Sequence, residues 1–143
     1  MTKGSRQGFT LVEVLIVVVI MAVLAAAIIP QFTDSTKDAK ESTGKFNVHS
    51  LRGQLEVYRA QHGGEYPDVL TKLTVKTNAD HTTTGTPTLG PYVREIPDDS
   101  VTGSNAIATS TAAPIAVSGT TGGWIYNATT GELRINHEDY DTF

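Results

Sequence analysis

The sequence predicts an α+β fold, in which one long N-terminal helix packs on a small antiparallel β-sheet head that carries a long loop. Three observations predict it: an apolar run near the N-terminus, an amphipathic pattern directly after it, and two alternating apolar segments near the C-terminus. With 143 residues, of which 39% are apolar, the chain can bury one modest core.

The apolar run has the length of a membrane span. Of the 21 residues from Phe9 to Ile29, only Thr10 and Glu13 are polar, and a helix needs about 20 apolar residues to cross a bilayer. Basic residues before the run, Lys3 and Arg6, place the short N-terminus in the cytoplasm by the positive-inside rule. The chain after the run then lies on the other side of the membrane.

Glu13 requires a partner in such a segment. An ionised acid costs roughly 2.5 to 3.5 kcal/mol at the centre of a membrane helix and less near its end. Lys3 and Arg6 are candidate partners, and so is an α-amino group created by cutting the chain. A cleavable secretory signal and a plain single-pass anchor are the alternatives, although the run is longer than the 7 to 15 residues of a typical signal core.

The next segment continues with helical spacing. Apolar positions recur at seven-residue and then three- to four-residue steps: Phe32, Ala39, Phe46, Val48, Leu51, Leu55, Tyr58 and His62. Pro30 is expected to bend or locally open the helix, and the pair Gly63-Gly64 to end it. A stalk or dimeric coiled coil is the alternative, but the irregular drift of the spacing favours packing onto a sheet.

The remaining residues predict the head. Pro67 begins a short helix to about Leu73, and a long loop follows between Thr71 and Gly123, with extended pieces at 92–96 and 115–117. Two alternating runs around Gly131 predict a hairpin whose apolar face is Trp124, Tyr126, Leu133 and Ile135. We expect Trp124 to anchor the head to the helix, the alternative being an exposed ring for partner contact.

Composition excludes several functions. Residues 9–143 carry nine Lys and Arg against fifteen Asp and Glu, a net charge of −6, so no nucleic-acid partner is expected. There is no cysteine, and the sequence has no phosphate-binding loop, helical zinc pair or nucleophile elbow. The four histidines are scattered along the chain, and the triplet Asn127-Ala128-Thr129 is a weak glycosylation pattern. We therefore predict no catalytic, cofactor-binding or metal residues and no enzymatic activity.

The N-terminal motif resembles a known family. Gly8-Phe9-Thr10-Leu11-Val12-Glu13, preceded by a short basic leader and followed by an apolar run that ends at Pro30, resembles the class III signal of type IV pilins and type II secretion pseudopilins. The resemblance extends over residues 4 to 62, and Gly64-Glu65-Tyr66-Pro67 is similar to the glycine-tyrosine-proline turn that commonly follows the long helix in pseudopilins.

The resemblance implies how the chain is processed and assembled. A prepilin peptidase cuts between Gly8 and Phe9 and N-methylates Phe9, and Glu13 then pairs with the Phe9 amine of a neighbouring subunit. Gly8 and Phe9 are thus the processing residues, and Glu13 and Pro30 the assembly residues. The implied domains are a leader at 1–8, a transmembrane half at 9–30, an amphipathic half at 31–62 and a head at 63–143.

The implied function is structural. The chain resembles a subunit of a type II secretion pseudopilus, a homo-oligomeric filament that works with an inner-membrane assembly platform and minor pseudopilins. The subunit would sit in the inner membrane with its head in the periplasm. A type IV pilus subunit for adhesion, motility or DNA uptake, and a membrane-anchored binding domain that never polymerises, are the alternatives. Asp98, Asp99 and Asn105 could donate oxygens to calcium, and the resemblance implies a calcium-dependent loop in this half of the chain. Because the family's dense acidic, glycine-rich run is missing, no cofactor is predicted, and calcium is the alternative.

Overall fold

The computed structural model describes residues 8–117, 119 and 121–140. It divides into two units, Met1–Asp38 and Ala39–Phe143. The α-helix α1 runs through Leu11–Gln61, and the helical backbone continues through Pro30 without a break. The local opening expected at Pro30 is therefore wrong. The leader residues Lys3 and Arg6 lie outside the described residues.

The C-terminal end of α1 follows from its two glycines. Gly63 has φ +69°, a left-handed conformation that glycine adopts without strain. The Gly64 amide then donates to the Arg59 carbonyl at 2.9 Å, which is the long hydrogen bond of a Schellman motif. The predicted stop at Gly63-Gly64 is confirmed.

Within the second unit, α1 packs against the head through one face. The core is formed by buried side chains of α1, the loops and the sheet: Val48, Leu51, Leu55, Tyr58, Leu70, Leu73, Ile96, Trp124, Tyr126, Leu133, Ile135 and Tyr140. Trp124 is fully buried, and its Nε1 donates to the Pro97 carbonyl at 2.8 Å. The alternative of an exposed Trp124 ring is thus wrong, and Trp124 belongs to the same core as the buried residues of α1.

The sheet has three short strands, β1 (Ile107–Thr109), β2 (Trp124–Tyr126) and β3 (Leu133–Ile135). Strands β2 and β3 pair antiparallel, with Trp124 opposite Ile135 and Tyr126 opposite Leu133, which confirms the predicted hairpin. Strand β1 pairs parallel with β2. The α+β class is confirmed, but the sheet is mixed and not purely antiparallel, because residues 110–123 are long enough to bring β1 alongside β2 in the same direction.

The head differs from the expectation in several details. The helix predicted from Pro67 is a 3-10 helix over Leu70–Thr74. Residues 92–96 and 115–117 are not strands, and the missed strand is β1. A second 3-10 helix, Glu138–Tyr140, was not predicted, and it buries Tyr140 in the core.

Candidate assembly site

The start of α1 is organised by a reciprocal contact between Thr10 and Glu13. Glu13 Oε2 accepts from the Thr10 amide at 2.8 Å and from the Thr10 hydroxyl at 2.7 Å. In return, the Glu13 amide donates to Thr10 Oγ1 at 3.2 Å. This is the geometry of a capping box, which satisfies amide hydrogens that have no partner within the helix.

The capping contacts leave part of the Glu13 carboxylate available. Within the described residues, Oε1 accepts no hydrogen bond, and both contacts from Thr10 converge on Oε2. The carboxylate is thus held in one orientation with one oxygen open. Thr10 is a residue that our sequence interpretation missed, although its signal was present, because a Thr three residues before a Glu at the start of an apolar run is a capping-box pattern.

The other predicted site residues lie near this contact or farther along the helix. Gly8 has open space where a Cβ would be, and the Phe9 side chain is 89% exposed. Gly8 and Phe9 directly precede Thr10, so the structure brings three of the four predicted residues together at the helix start. Pro30 lies 17 residues beyond Glu13 and is not part of this cluster.

The apolar part of α1 is not covered by any of the residues that the structure describes. Every residue from Phe9 to Ile29 is exposed, and the most apolar 18-residue window, with mean hydropathy 3.1, is 0% buried. By length and composition, this helix can cross a membrane. An apolar surface of this size is stable only when lipid or other protein covers it.

A second uncovered surface lies on α1 in the second unit. The sequence pattern placed Phe46 on the same face as Leu51, but Phe46 is 71% exposed while Leu51 is buried. Five residues correspond to about 140° around a helix, so the two side chains point in very different directions. Exposed, uncharged residues surround Phe46 and form what we call the outer stripe: Ala39, Ser42, Thr43, Phe46, His49, Ser50, Gly53, Val57 and Ala60.

Phe32 was predicted to share the core-facing pattern as well. It lies in the first unit, where its side chain is 74% exposed. The seven-residue spacing of Phe32, Ala39 and Phe46 therefore describes exposed positions and not core positions.

Polar contacts hold the second half of α1 to the head. The Arg52 guanidinium donates to the Leu133 carbonyl through Nε at 3.2 Å and Nη2 at 2.8 Å. Burial, and then the positive charge of Arg134, lower the pKa of Arg52, whereas the negative charge of Glu132 opposes this shift. Tyr92 donates to Gln61 Oε1 at 2.8 Å. These contacts fix α1 against β3 and the long loop.

Two of the scattered histidines meet in the fold. His62 stacks on Tyr58 with ring centroids 3.8 Å apart, and His81 lies 4.9 Å from His62. His62 Nδ1 donates to the Tyr58 carbonyl, and its Nε2 contacts Thr77 Oγ1 at 2.9 Å. The Tyr58 hydroxyl contacts His81 Nδ1 at 2.9 Å, and burial followed by the charge of Asp68 raises the pKa of Tyr58 to about 12. His81 Nε2 contacts Glu65 Oε2 at 3.2 Å, so each of the four ring nitrogens has a protein partner, and the cluster serves packing.

Neither metal ligation nor glycosylation is supported by the geometry. No group of three or more His, Cys, Asp or Glu suited to a metal occurs among residues 8–117, 119 and 121–140. Asp99 does not fit a calcium ligand, because both of its carboxylate oxygens already accept hydrogen bonds from amides.

Asn127 is 1% exposed and donates to the Ala112 carbonyl at 2.8 Å, so its amide is not accessible for glycosylation in the folded head.

Comparison with known proteins finds a family-model match at the N-terminus and several similar proteins. Residues 3–29 match the family model described as "Prokaryotic N-terminal methylation motif". The chain is 34% identical over 59 residues to Type II secretion system core protein G of Pseudomonas aeruginosa, covering 41% of this chain and 42% of that protein. It is 31% identical over 101 residues to the protein of the same name from Pectobacterium carotovorum, covering 68% of this chain and 64% of the relative.

A different group of relatives is also similar. The Fimbrial protein of Neisseria meningitidis serogroup B is 32% identical over 75 residues, covering 52% of this chain and 44% of that protein. No solved structure matches the chain significantly. The chain thus spans 42% and 64% of the first two secretion proteins, and neither printed name is that of an enzyme.

The match to the methylation motif falls on the same N-terminal segment in which the structure shows an exposed apolar helix. The methylation motif and the similarity to several proteins named Type II secretion system core protein G support a type IV pilin-like protein of the pseudopilin type.

Proposed function

We propose that this protein is a structural subunit of a type II secretion pseudopilus and that it polymerises through α1 to support protein export across the outer membrane. The observation that carries the proposal is the uncovered apolar helix, which starts with an oriented Glu13 carboxylate. Similarity to several proteins named Type II secretion system core protein G supports this function over others.

The proposed life cycle begins in the membrane. A prepilin peptidase removes residues 1–8 and methylates Phe9, and residues 9–30 hold the subunit in the inner membrane with the N-terminus in the cytoplasm and the head in the periplasm. Residues 31–62 and the head, 63–143, then extend from the membrane. The inner-membrane assembly platform and minor pseudopilins are the partners expected for extraction and growth.

Glu13 acts in assembly by accepting the Phe9 amine of a neighbouring subunit. Thr10 holds Oε2, and Oε1 is left for the incoming cation. A charge pair of this kind is favourable in an apolar surrounding only when the geometry is good, because both ions have lost water. Thr10 is therefore a positioning residue, and the register between subunits follows from the pair.

Self-association also covers the surfaces that a single chain leaves exposed. The apolar segment of the first unit and the outer stripe of the second unit would pack against other copies of the chain, which removes Phe9, Leu11 and Phe46 from water or lipid. For the outer stripe, which is covered by water in the free subunit, each square ångström of apolar area that leaves water contributes about 25 cal/mol. Apolar packing would supply the free energy of assembly, and the Glu13 pair would supply its geometry.

A type IV pilus subunit is the second candidate, because the Neisseria fimbrial proteins are similar over 75 residues. A membrane-anchored domain that never polymerises is the third. Deletion of the gene separates the first two: loss of protein secretion supports the pseudopilus, and loss of twitching or adhesion with normal secretion supports the pilus.

The primary test is the N-terminus of the native protein. Mass spectrometry of material purified from its own membrane is expected to find methylated Phe9 as the first residue. Overexpression should then yield sheared filaments that contain the protein. Processed protein that never enters filaments would indicate the non-polymerising anchor, and an unprocessed N-terminus would contradict the proposal.

A further inference from the structure

Asp99 is a buried carboxylate in the head that the proposed function does not use. The residue is 1% exposed, and its side chain accepts five hydrogen bonds. Oδ1 accepts from the amides of Val101 and Thr102, each at 2.8 Å. Oδ2 accepts from the Thr102 hydroxyl at 2.5 Å, the Ser104 amide at 3.1 Å and the Gly123 amide at 2.8 Å.

These bonds connect two parts of the second unit, and the loop that carries Asp99 contacts a third. Four of the five come from the loop 99–104, and the fifth comes from Gly123, which immediately precedes β2. The same loop contacts α1, because the Ser100 hydroxyl donates to the Lys40 carbonyl at 2.6 Å and Lys40 Nζ donates to the Val101 carbonyl at 3.1 Å. Asp99 therefore joins the loop to the start of β2, and the neighbouring residues Ser100 and Val101 join the loop to α1.

The close approach of the loop to β2 depends on two glycines. Gly122 has φ +78°, and a Cβ there would collide with the Thr102 side chain. Gly123 has φ +75°, and a Cβ there would collide with the Ala106 backbone. Both positions need glycine for conformation and for space, so the sequence around Asp99 is fitted to this contact.

The polarity of this cluster is opposite to that of a cation site. Calcium takes six to eight oxygen ligands at about 2.3 to 2.6 Å. Around Asp99, in contrast, four amide hydrogens and one hydroxyl hydrogen point at the carboxylate. A cation would have to displace these donors from the lone pairs, and buried amides that lose their acceptors destabilise the fold.

We propose that the ionised Asp99 side chain holds its loop to the start of β2 in place of a bound calcium ion. The head therefore folds and remains folded without divalent cations. The inference is independent of the proposed filament function, since it concerns the second unit alone. In this proposal the Asp99 side chain orders the loop 99–104, and no metal ion is needed for it.

Thermal unfolding of the full-length chain in detergent tests the inference. Trp124 is the only tryptophan, and its Nε1 bonds to Pro97 two residues before Asp99, so its fluorescence reports on this region. We expect the same midpoint in excess EGTA as in millimolar calcium chloride. A midpoint that calcium raises in the unmodified protein would overturn the proposal.

The Asp99→Asn variant makes the test specific. Its Oδ1 can still accept from Val101 and Thr102, but its NH₂ group faces the Ser104 and Gly123 amides, which lose their acceptor. We expect a midpoint lower by roughly 5 to 15 °C, equally in EGTA and in calcium. The matched control is Asp98→Asn, which changes the neighbouring, exposed carboxylate and should leave the midpoint unchanged.

The midpoints in calcium and in EGTA distinguish a carboxylate that accepts internal hydrogen bonds from one that binds calcium. If Asp99 bound calcium, its replacement would matter in calcium and not in EGTA. An effect of Asp99→Asn that is confined to calcium, or no effect at all, would refute the proposal. Should Asp99→Asn fail to fold, Thr102→Val removes only the hydroxyl donor at similar size, and a lower midpoint that calcium does not restore is then the expected result.

Discussion

Two groups of Thr10, its amide and its hydroxyl, donate to the same Glu13 oxygen at 2.8 and 2.7 Å. The acid that the sequence marks as unusual for a membrane helix is thus already bonded within its own chain. Because a helix cap and an intersubunit charge pair use different properties of the carboxylate, the two roles can be separated by mutation. The cap needs an acceptor, whereas the pair needs a negative charge.

Glu13→Gln is the variant that separates them. Glutamine serves as well as glutamate in a capping box, so the helix start should be preserved while the charge is lost. We expect normal cleavage after Gly8 and a filament yield at least tenfold lower, since an unpaired amine in an apolar interface costs several kcal/mol. Immunoblots of sheared filaments and of membranes measure both quantities.

Glu13→Ala and Thr10→Val are the companion variants. Glu13→Ala loses cap and charge together and should assemble no better than Glu13→Gln. Thr10→Val keeps the charge but loses the hydroxyl, and we expect a smaller assembly defect. Wild-type filament yield from Glu13→Gln would show that the charge has no part in assembly.

Phe46 is expected to become buried when the protein assembles. The chain has no cysteine, so a single Phe46→Cys substitution provides a unique label site. A water-soluble maleimide should label it in detergent-dispersed subunits, where position 46 is exposed, and should label it at least tenfold more slowly in filaments. Intact-mass measurements give the labelled fraction.

Val69→Cys is the control for this experiment, because Val69 is 44% exposed on the head and is not part of α1. It should react in both states. Filaments in which position 46 reacts as fast as in free subunits would show that the outer stripe is not an interface, and the proposed pseudopilus function would still stand.

Arg52 is expected to contribute to the stability of the head. Replacing it with Gln removes the two hydrogen bonds to the Leu133 carbonyl, and we expect the free energy of unfolding to fall by about 1 to 2 kcal/mol. Urea unfolding followed by Trp124 fluorescence measures this change. Arg94→Gln, which alters an exposed arginine, should have little effect, and equal losses in the two variants would argue against a specific role of Arg52.

Stability should fall on the acid side. Burial alone would raise the pKa of Asp99, but hydrogen bonds from Thr102, Gly123 and Val101 outweigh it and lower the pKa below its ordinary value. The pKa of Glu132 is lowered in the same way: burial opposes the shift, and the Ile115 amide and Arg134 cause it. Below the ordinary carboxyl pKa of about 4, the unfolded chain therefore binds more protons than the folded one.

The sign of the effect follows directly. The stability contributed by these two groups is complete above the unfolded-state pKa and is lost as the pH falls through the folded-state values. Urea unfolding between pH 7 and pH 3 should show this decline, and the decline should be shallower in Asp99→Asn. A wild-type stability that rises on acidification would contradict the assignment.

The hairpin and the helix end were predictable because their signals are local. Alternation at Trp124, Tyr126, Leu133 and Ile135 specifies one buried face of a β-hairpin, whatever lies across from it. Gly63 and Gly64 end a helix through their own backbone conformations. The capping box of Thr10 and Glu13 was equally local, and it was missed because Glu13 was interpreted only as a charge.

The exposed position of Phe46 shows where a local pattern is insufficient. Seven-residue spacing links Phe46 to Phe32 and Ala39, whereas the buried face of α1 is set by Val48, Leu51 and the residues after them. Both series have helical spacing. Which of them faces the head depends on the sheet, which is formed by residues more than 50 positions away.

By itself, the sequence determined the apolar N-terminal segment, the extent of α1 and the β2–β3 hairpin, since each depends on residue type and on a repeat within a few turns or one strand pair. Only the tertiary structure decided that β1 pairs parallel with β2, that His62 meets His81, and that Asp99 is surrounded by amide donors. These features depend on contacts between segments far apart in the chain, and such contacts leave no periodic signal in the sequence.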